Sequence, residues 1–294
     1  MAILLFGATG MVGQAITAEA GRRGRQIVGV SRHGPDRAVD LATAESLRDL
    51  VAATRPELVV NAAAMIGLEA CERDPALAYA VNARAVALMS DACEDAGVRL
   101  VHVSTDHYFT GDGDRAHAET DPVTLVNVYA RTKHAGETFA ALAPEALVLR
   151  TNVTGLRGWP GKPTFAEWAL DVVARHAPMR LYDDFYTSTI DAESFASALF
   201  DLADAGATGL LNVAASSVAS KRHFVHGLAH AMGVTLDWDE AASVRSLMPP
   251  RAESLGLDVG LAERTLGRAL PGTAEVCRAL AAIWNQQCDM RQAS

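Results

Sequence analysis

The sequence predicts an α/β protein with a doubly wound parallel sheet and a smaller C-terminal α/β lobe. Short runs of β-branched and apolar residues alternate with longer alanine-rich amphipathic segments, which is typical of parallel strands joined by right-handed helical crossovers. The first apolar run leads directly into a glycine-rich turn. At 294 residues, of which 50% are hydrophobic and 21% charged, the chain is long enough to bury a large core.

Five strands are predicted in the first 150 residues, at 2–6, 26–31, 57–61, 99–104 and 146–150. Helix boundaries between them are indicated by capping and breaking residues. Thr43 begins a capping-box pattern with Ser46 nearby, and Pro56 ends the helix that follows. Gly97 closes a long helix that begins near Pro75. We therefore predict one domain over residues 1–150.

The pattern changes after residue 150. Residues 151–163 are rich in glycine and proline and predict a loop, followed by a helix at 164–177, a short strand near 180–182 and a helix at 192–205. We expect residues 151–294 to form a lobe over the carboxyl ends of the strands, with about 185–215 returning to the first domain. Trp159 and Trp168 in this lobe either stack on a ligand or pack internally.

Charge and cysteine content exclude several classes of function. The formal net charge of −9 gives no basic surface for nucleic acid or for an anionic membrane. The cysteines lack the spacing of a zinc site or a disulfide framework; they are Cys71, Cys93, Cys277 and Cys288. The first residues have no basic segment of a secretory signal, and no apolar stretch approaches the ~20 residues that span a bilayer. We predict a cytoplasmic protein.

A glycine turn after the first strand predicts dinucleotide binding. In Gly7-Ala8-Thr9-Gly10-Met11-Val12-Gly13, the first glycine permits a tight turn, the second lets the backbone approach a pyrophosphate, and the third lets the following helix, predicted at 14–23, pack closely. This is the arrangement of a Rossmann domain, although a purely structural turn remains the alternative. The predicted contacts are Gly7, Thr9, Gly10, Met11, Val12 and Gly13.

The end of the second strand predicts NADPH over NADH, with NADH also able to bind. An acidic residue there would bond the ribose 2′-hydroxyl, but the chain has Ser31 and Arg32, and arginine can pair with a 2′-phosphate. The alternative is that Arg32 is only solvated. Further cofactor contacts are predicted at Asp40 and Leu41 and at the small residues that end the third predicted strand: Asn61, Ala62, Ala63 and Ala64.

A catalytic set is predicted at the same sheet edge. The strand at 99–104 delivers Thr105, and Tyr129 and Lys133 follow four residues apart on one helix face. An ammonium beside a phenol favours the phenolate, so we expect Lys133 to lower the pKa of Tyr129 and make it an acid for a carbonyl oxygen. A tyrosine and lysine at this spacing also occur by chance, and only their position after a dinucleotide-binding half favours catalysis.

These residues resemble the extended short-chain dehydrogenase/reductases and, among them, the dTDP-4-dehydrorhamnose reductases. The resemblance implies that Thr105, Tyr129 and Lys133 form a catalytic triad that reduces the C4 ketone of a nucleotide-linked 4-keto-6-deoxysugar with NADPH, in deoxysugar biosynthesis. It also implies substrate contacts at Thr105, Asp106, His107 and Asn152. The matching segments are 55–64, 81–83, 103–106, 129–137, 183–189 and 251–258.

Several residues depart from the family pattern near the expected sugar site. His107 stands where tyrosine is usual, Thr110 where aspartate is, Ala130 where glycine is and Glu253 where asparagine is common, and no aromatic residue follows Thr151. The resemblance therefore implies the chemistry more firmly than the substrate. Two alternatives stay open: an epimerase or dehydratase of the same family, and a regulatory subunit that binds a dinucleotide without catalysis.

Partners and metals complete the predictions. The expected partner is a small nucleotide sugar, and a homodimer is the assembly left open. His223, His226 and His230 share one helix face, but no glutamate lies between them in an HExxH pattern and the helix is otherwise apolar. We predict no metal.

Overall fold

The computed structural model describes residues 2–44, 46–157 and 162–292, so Trp159 lies outside the described residues. The strands in chain order are β1 (Ala2–Phe6), β2 (Gln26–Ser31), β3 (Arg37–Ala38), β4 (Leu58–Asn61), β5 (Arg99–Val103), β6 (Ala116–His117), β7 (Leu147–Arg150), β8 (Val153–Thr154), β9 (Met179–Tyr182), β10 (Tyr186–Thr187), β11 (Ile190–Asp191), β12 (Gly209–Asn212), β13 (Ala219–Ser220), β14 (Asp239–Ala242) and β15 (Ser254–Leu257).

The helices pack on both faces of the main sheet and around the lobe. They are α1 (Met11–Arg22), α2 (Leu47–Thr54), α3 (Leu68–Arg73), α4 (Pro75–Tyr79), α5 (Ala85–Ala96), α6 (Val128–Ala140), α7 (Phe165–Ala174), α8 (Ala192–Asp204), α9 (Lys221–Ala231), α10 (Gly260–Leu266) and α11 (Thr273–Gln292). A π-helical turn, Ala80–Arg84, joins α4 to α5, and a 3-10 turn, Val244–Ser246, precedes β15.

A seven-stranded sheet forms the core, in the order β12-β7-β5-β4-β1-β2-β3, and its neighbouring strands are parallel. The five predicted strands are confirmed in it, and β3 and β12 add its edges. Along β1, Ile3 and Leu5 face a cluster with α1 and α8, whereas Leu4 and Phe6 face α2 and α5. Burial on both faces explains why the strand is apolar throughout. The chain leaves β1 in one direction and β4 in the other, which opens a crevice between their carboxyl ends.

The helix boundaries were predicted with mixed success. Gly97 ends α5 in the left-handed conformation, with φ of 61°, as predicted. The prediction that a helix begins at Thr43 is wrong: α2 begins at Leu47, because the Thr43 hydroxyl donates to the Asp40 carbonyl at 3.1 Å within a turn. Helix α1 also begins earlier than predicted, at Met11, directly after the glycine turn.

The rest of the chain forms small sheets beside the main one. A four-stranded sheet has the order β13-β10-β15-β6, and β11 pairs with β8 and β14 with β9. Strand β8 interrupts the segment predicted as a loop. After β11 the chain runs back along α8, beside α1, to β12, which pairs with β7. In the part of the chain that the structure describes, none of the helices is long and apolar enough to span a bilayer.

Candidate active site

The glycine turn is packed so closely that a side chain would not fit at Gly7 or Gly13. Gly7 has φ of +82°, and a Cβ there would lie 2.8 Å from the Ala62 carbonyl carbon. A Cβ on Gly13 would lie 2.1 Å from the Gly7 oxygen, whereas one on Gly10 would lie 3.2 Å from the same atom. Helix α1 begins at Met11 without a side-chain cap, which leaves its first N–H groups for an anion. This cradle fits a dinucleotide pyrophosphate.

The end of β2 carries the residues predicted to select the cofactor. Arg32 is exposed, and the buried Ser31 hydroxyl has no hydrogen-bond partner among the described residues. The first carboxylate after β2 belongs to Asp36, and it accepts a 2.7 Å bond from the Gly29 N–H. The Asp40 carboxylate accepts a 2.9 Å hydrogen bond from the Ala42 N–H within the same turn. The Leu41 side chain is buried in the core. A cofactor role for Leu41 would therefore use its backbone.

Asn61 is fully buried and shapes the loop that follows β4. Its Oδ1 accepts from the Ala63 N–H at 3.1 Å, and its Nδ2 lies 3.1 Å from Nδ1 of His102. Ala62, Ala63 and Ala64 are half-buried and lie across from the glycine turn. The Asn61 side chain is thus engaged within the protein, while the alanines leave room beside it.

The three predicted catalytic residues meet at the carboxyl edge of the sheet. Helix α6 carries Tyr129 and Lys133, and its N-cap Asn127 accepts from the Ala130 N–H at 2.9 Å. Thr105, just beyond β5, lies close enough to the Tyr129 phenol for its hydroxyl to act on the pKa of that group. The Lys133 amine donates to the Val103 carbonyl at 2.8 Å. The side chains of all three candidate residues are buried.

Burial has the largest effect on the pKa values of Tyr129 and Lys133. It raises the pKa of Tyr129 well above the ordinary range, with the Thr105 hydrogen bond acting in the opposite direction. It lowers the pKa of Lys133 to about 8, opposed by the charge of Glu137. Our expectation that Lys133 lowers the pKa of Tyr129 is wrong for the free chain, because the Lys133 amine contacts Val103 and His102 instead.

The residues predicted to bind substrate form a polar layer beside Thr105. The Asn152 Nδ2 donates to Asp106 Oδ2 at 2.6 Å, and the Thr189 hydroxyl donates to Asn152 Oδ1 at 2.8 Å. Burial raises the pKa of Asp106 to about 7. His107 meets the Tyr129 ring edge-on, with 5.5 Å between centroids, and burial lowers its pKa to about 4. His107 is therefore an uncharged wall of the site at neutral pH.

Lys221 is a site residue that sequence reasoning missed. From the start of α9 its amine reaches the Thr189 hydroxyl at 3.2 Å and lies 4.7 Å from the centroid of Phe165. Burial lowers its pKa to about 8, opposed by the charge of Asp106. One signal was available: the chain has only three lysines, Lys133, Lys162 and Lys221.

The mouth of the site is also basic. Arg251 pairs with Glu69 at 2.9 Å, and its buried Nε has no hydrogen-bond partner in the described ranges. A backbone hydrogen bond lowers the pKa of Glu69, and the charges of Arg251 and Lys162 act in the same direction. Lys162 is exposed and lies close enough for its charge to act on Glu69.

Asn82 in the π-helical turn positions α6 and was likewise not predicted as a site residue. Its Oδ1 accepts from the Met65 N–H at 2.8 Å. Its Nδ2 donates to the Met65 carbonyl at 3.0 Å and to the Thr132 hydroxyl at 3.1 Å. A Cβ on Gly136 would lie 2.2 Å from the Asn82 carbonyl oxygen, so the turn and α6 touch through their backbones. An asparagine inside an apolar helical pattern was the signal in the sequence.

Two departures from the family pattern compensate each other. The Thr110 hydroxyl donates to Glu253 Oε2 at 2.5 Å, and the Gly111 N–H donates to Oε1 of the same carboxylate at 2.8 Å. The two unusual residues therefore form one pair that joins the loop after β5 to the loop before β15. Ala130 is fully buried in the core.

Of the three histidines of α9, His226 takes part in a structural contact. His226 Nε2 lies 3.1 Å from Asp239 Oδ1, and Arg222 Nε lies 2.7 Å from Oδ2 of the same aspartate. These contacts connect α9 to β14, away from the residues described above.

Comparisons with known proteins agree with this geometry. The family model described as the RmlD substrate binding domain matches residues 1–252. The chain is 36% identical over 225 residues to a dTDP-4-dehydrorhamnose reductase of Mycobacterium tuberculosis, covering 74% of this chain and 71% of that protein. It is 28% identical over 297 residues to a probable low-salt glycan biosynthesis reductase of Haloferax volcanii, covering 97% and 99%.

Solved structures show the same fold. A dTDP-4-dehydrorhamnose reductase of Clostridium acetobutylicum superposes with a TM-score of 0.85 at 20% identity, covering 97% of this chain and all of that one (100%). One from Bacillus anthracis, solved in complex with NADP, gives 0.84 at 19% identity, covering 96% and 100%. With its family match over most of its length, the chain belongs to the RmlD family of extended short-chain dehydrogenase/reductases, which are NAD(P)-dependent reductases.

Proposed function

We propose that the protein is an NADPH-dependent reductase of the C4 ketone in a nucleotide-linked 4-keto-6-deoxysugar. The observation that carries the proposal is the arrangement of three buried residues at the carboxyl edge of the sheet that bears the glycine turn: the Thr105 hydroxyl lies beside the Tyr129 phenol, and Lys133 follows one turn further along α6. The names of its relatives, dTDP-4-dehydrorhamnose reductases among them, support this class of substrate.

The geometry suits proton delivery to a ketone. The bound dinucleotide supplies the hydride for the carbonyl carbon. Tyr129, whose pKa burial raises, is protonated at neutral pH and gives its proton to the carbonyl oxygen, so that an alcohol results. The Thr105 hydroxyl, which lies beside the same phenol, aligns that oxygen. Lys133, one helical turn further along α6, is placed to hold the nicotinamide ribose.

NADPH is the proposed cofactor because of the groups at the end of β2. Arg32 is exposed there, and its planar guanidinium matches the geometry of a phosphate. The Asp36 carboxylate, which would otherwise suit a ribose hydroxyl, is bonded to Gly29. We expect NADH to bind more weakly. The cofactor contacts predicted from the sequence, from Gly7 to Ala64, remain part of this proposal.

The charges around the mouth support a substrate with a diphosphate. Arg251, Lys162 and Lys221 give local positive charge to a chain whose formal net charge is −9. Arg251 has a buried Nε without a partner among the described residues, which a phosphate oxygen would satisfy. Asp106, His107 and Asn152 would then face the sugar.

One observation favours a second candidate, an epimerase or dehydratase. Asp106, with its pKa raised to about 7, is an additional acid next to Thr105. Both of its oxygens, however, are already engaged, one with Asn152 at 2.6 Å and the other with Thr105 at 3.4 Å. A role in ordering the site therefore fits Asp106 better than proton transfer to substrate.

The test follows NADPH absorbance with dTDP-4-keto-6-deoxysugars, comparing the wild type with Tyr129→Phe and measuring cofactor binding in both. Loss of oxidation by about 100-fold or more in Tyr129→Phe, with unchanged binding, supports the reductase. Product formed without net NADPH oxidation would show the epimerase or dehydratase. Tight binding without any turnover would show a regulatory subunit.

A further inference from the structure

A chain of hydrogen bonds runs beneath the candidate site from the backbone of Ala63 to the amine of Lys133. The Ala63 N–H donates to Asn61 Oδ1 at 3.1 Å, and Asn61 Nδ2 lies 3.1 Å from His102 Nδ1. His102 Nε2 lies 3.4 Å from the Lys133 nitrogen, which donates to the Val103 carbonyl at 2.8 Å. His102 is fully buried, and Lys133 is 2% exposed.

The direction of these bonds determines the tautomer of His102. Because Asn61 Oδ1 accepts from a backbone N–H, its Nδ2 must be the atom that faces the imidazole, and Nδ2 can only donate. His102 Nδ1 is therefore an acceptor. A neutral imidazole then carries its proton on Nε2, the nitrogen that faces Lys133.

An Nε2–H group facing an amine favours the uncharged amine. A neutral amine has a lone pair that accepts from Nε2–H, whereas an ammonium offers only donors to it. The pKa directions agree: burial lowers the pKa of Lys133 to about 8, and burial with the Lys133 charge lowers that of His102.

His102 and Lys133 also have neighbours on α6 and β4. Glu137 lies on α6 with Lys133, and its negative charge opposes the lowering of the Lys133 pKa. Its carboxylate also pairs with Arg150 at 2.9 Å. From β4 the contact is Asn61, which does not titrate. On the side of α6 and the π-helical turn, His102 faces Gly136, where a Cβ would lie 3.6 Å from Nε2.

We propose that His102 is a positioning residue that orients the Lys133 amine and stabilises its uncharged form in the free protein, so that Lys133 takes up a proton when a dinucleotide binds. The proton comes from solvent, and it turns the amine into a three-donor ammonium suited to ribose hydroxyls. The second half of the proposal rests on the cofactor role proposed above; the first half concerns the free chain alone.

The first test titrates Lys133 in the free protein. With 13C-labelled lysine the protein gives three lysine signals, and Lys133→Met identifies one of them. We expect its midpoint near pH 8 in the wild type and at least about one pH unit higher in His102→Gln, because a glutamine can turn its oxygen toward the ammonium. His117→Gln is the control, since His117 is also buried but stacks on Phe109.

A second variant keeps the test decisive if His102→Gln does not fold. In Asn61→Asp the carboxylate accepts from both the Ala63 N–H and Nδ1–H, which moves the imidazole proton to Nδ1 and leaves Nε2 to accept from an ammonium. The Lys133 midpoint should rise here as well. An unchanged midpoint in the folded variants, an equal rise in His117→Gln, or a wild-type imidazole whose 15N shifts place the proton on Nδ1 would overturn the proposal.

Proton uptake tests the second half. Calorimetric titration with NADPH in buffers of different ionisation enthalpy should show about half a proton taken up per site near pH 8, rising toward one at higher pH, and much less in His102→Gln. Binding without uptake in the wild type would overturn this half. Because no sugar substrate is present, these results are independent of whether the protein reduces a ketone.

Discussion

A buried ion pair between Glu137 on α6 and Arg150 on β7 allows a stability prediction to be made from the structure. The Glu137 carboxylate accepts from the Ser104 hydroxyl at 2.6 Å and from Arg150 at 2.9 and 3.0 Å. The Arg150 and Glu137 side chains are only 4% and 8% exposed. Arg150 also lies over the Tyr108 ring, 4.9 Å from its centroid. Each partner therefore neutralises the other, and Glu137 also interacts with the charge of Lys133 on the same helix.

The perturbation is Glu137→Gln, which keeps the size of the side chain and removes its charge. It leaves the Arg150 guanidinium buried without a counter-charge, and breaking a buried pair in this way costs about 3–5 kcal/mol of unfolding free energy. Replacing both partners, as in Glu137→Leu with Arg150→Met, removes both buried charges and should recover most of that loss, because the desolvation penalty disappears with the charges.

The assay is urea denaturation at neutral pH, with the slopes compared to confirm that the unfolded states expose similar surface. Asp171→Asn is the matched control, since Asp171 and Arg175 form an exposed pair on α7 whose loss should cost less than about 1 kcal/mol. A cost for Glu137→Gln no larger than that of the control would refute the reasoning. So would a double variant less stable than the single one.

Two further predictions concern the cofactor site and use calorimetric titration. Gly13→Ala places a Cβ 2.1 Å from the Gly7 oxygen and should weaken NADPH binding by more than about 100-fold, whereas Gly10→Ala, at 3.2 Å, should have a much smaller effect; similar losses would contradict the packing argument. Arg32→Ala should weaken NADPH binding by about tenfold and leave NADH binding unchanged, because only NADPH has the 2′-phosphate. Equal losses for both cofactors would exclude that contact.

The main sheet could be predicted because its signals are local. Strands β1 and β2 have the predicted bounds, since each is an apolar run that ends where glycine or charged residues begin. The helix predicted at Thr43 failed for a local reason too, because the Thr43 hydroxyl can serve a turn as readily as a helix. Such competition between a cap and a turn is decided by the surrounding backbone rather than by the residue itself.

The candidate catalytic residues were indicated by signals that their surroundings lack. Thr105, Tyr129 and Lys133 follow a strand and begin a helix, so spacing and order indicate them. The groups around them come from distant parts of the chain: Asn61 on β4 contacts His102 on β5, and Lys221 on α9 reaches Thr189, which precedes β11. No periodicity connects residues that meet only through the fold, which is also why the pKa of Tyr129 was predicted in the wrong direction.

The use of lysine in this chain follows from what burial does to an amine. The sequence has 26 lysines and arginines together, and only three are lysines. Surface pairs such as Arg48 with Asp95 and Arg175 with Asp171 use arginine, whose guanidinium stays charged in nearly any environment. Burial lowers the pKa of both Lys133 and Lys221 to about 8, where an amine exchanges protons at modest cost. Titration of Lys133 and Lys221 near pH 8 therefore reports on the candidate site rather than on the surface.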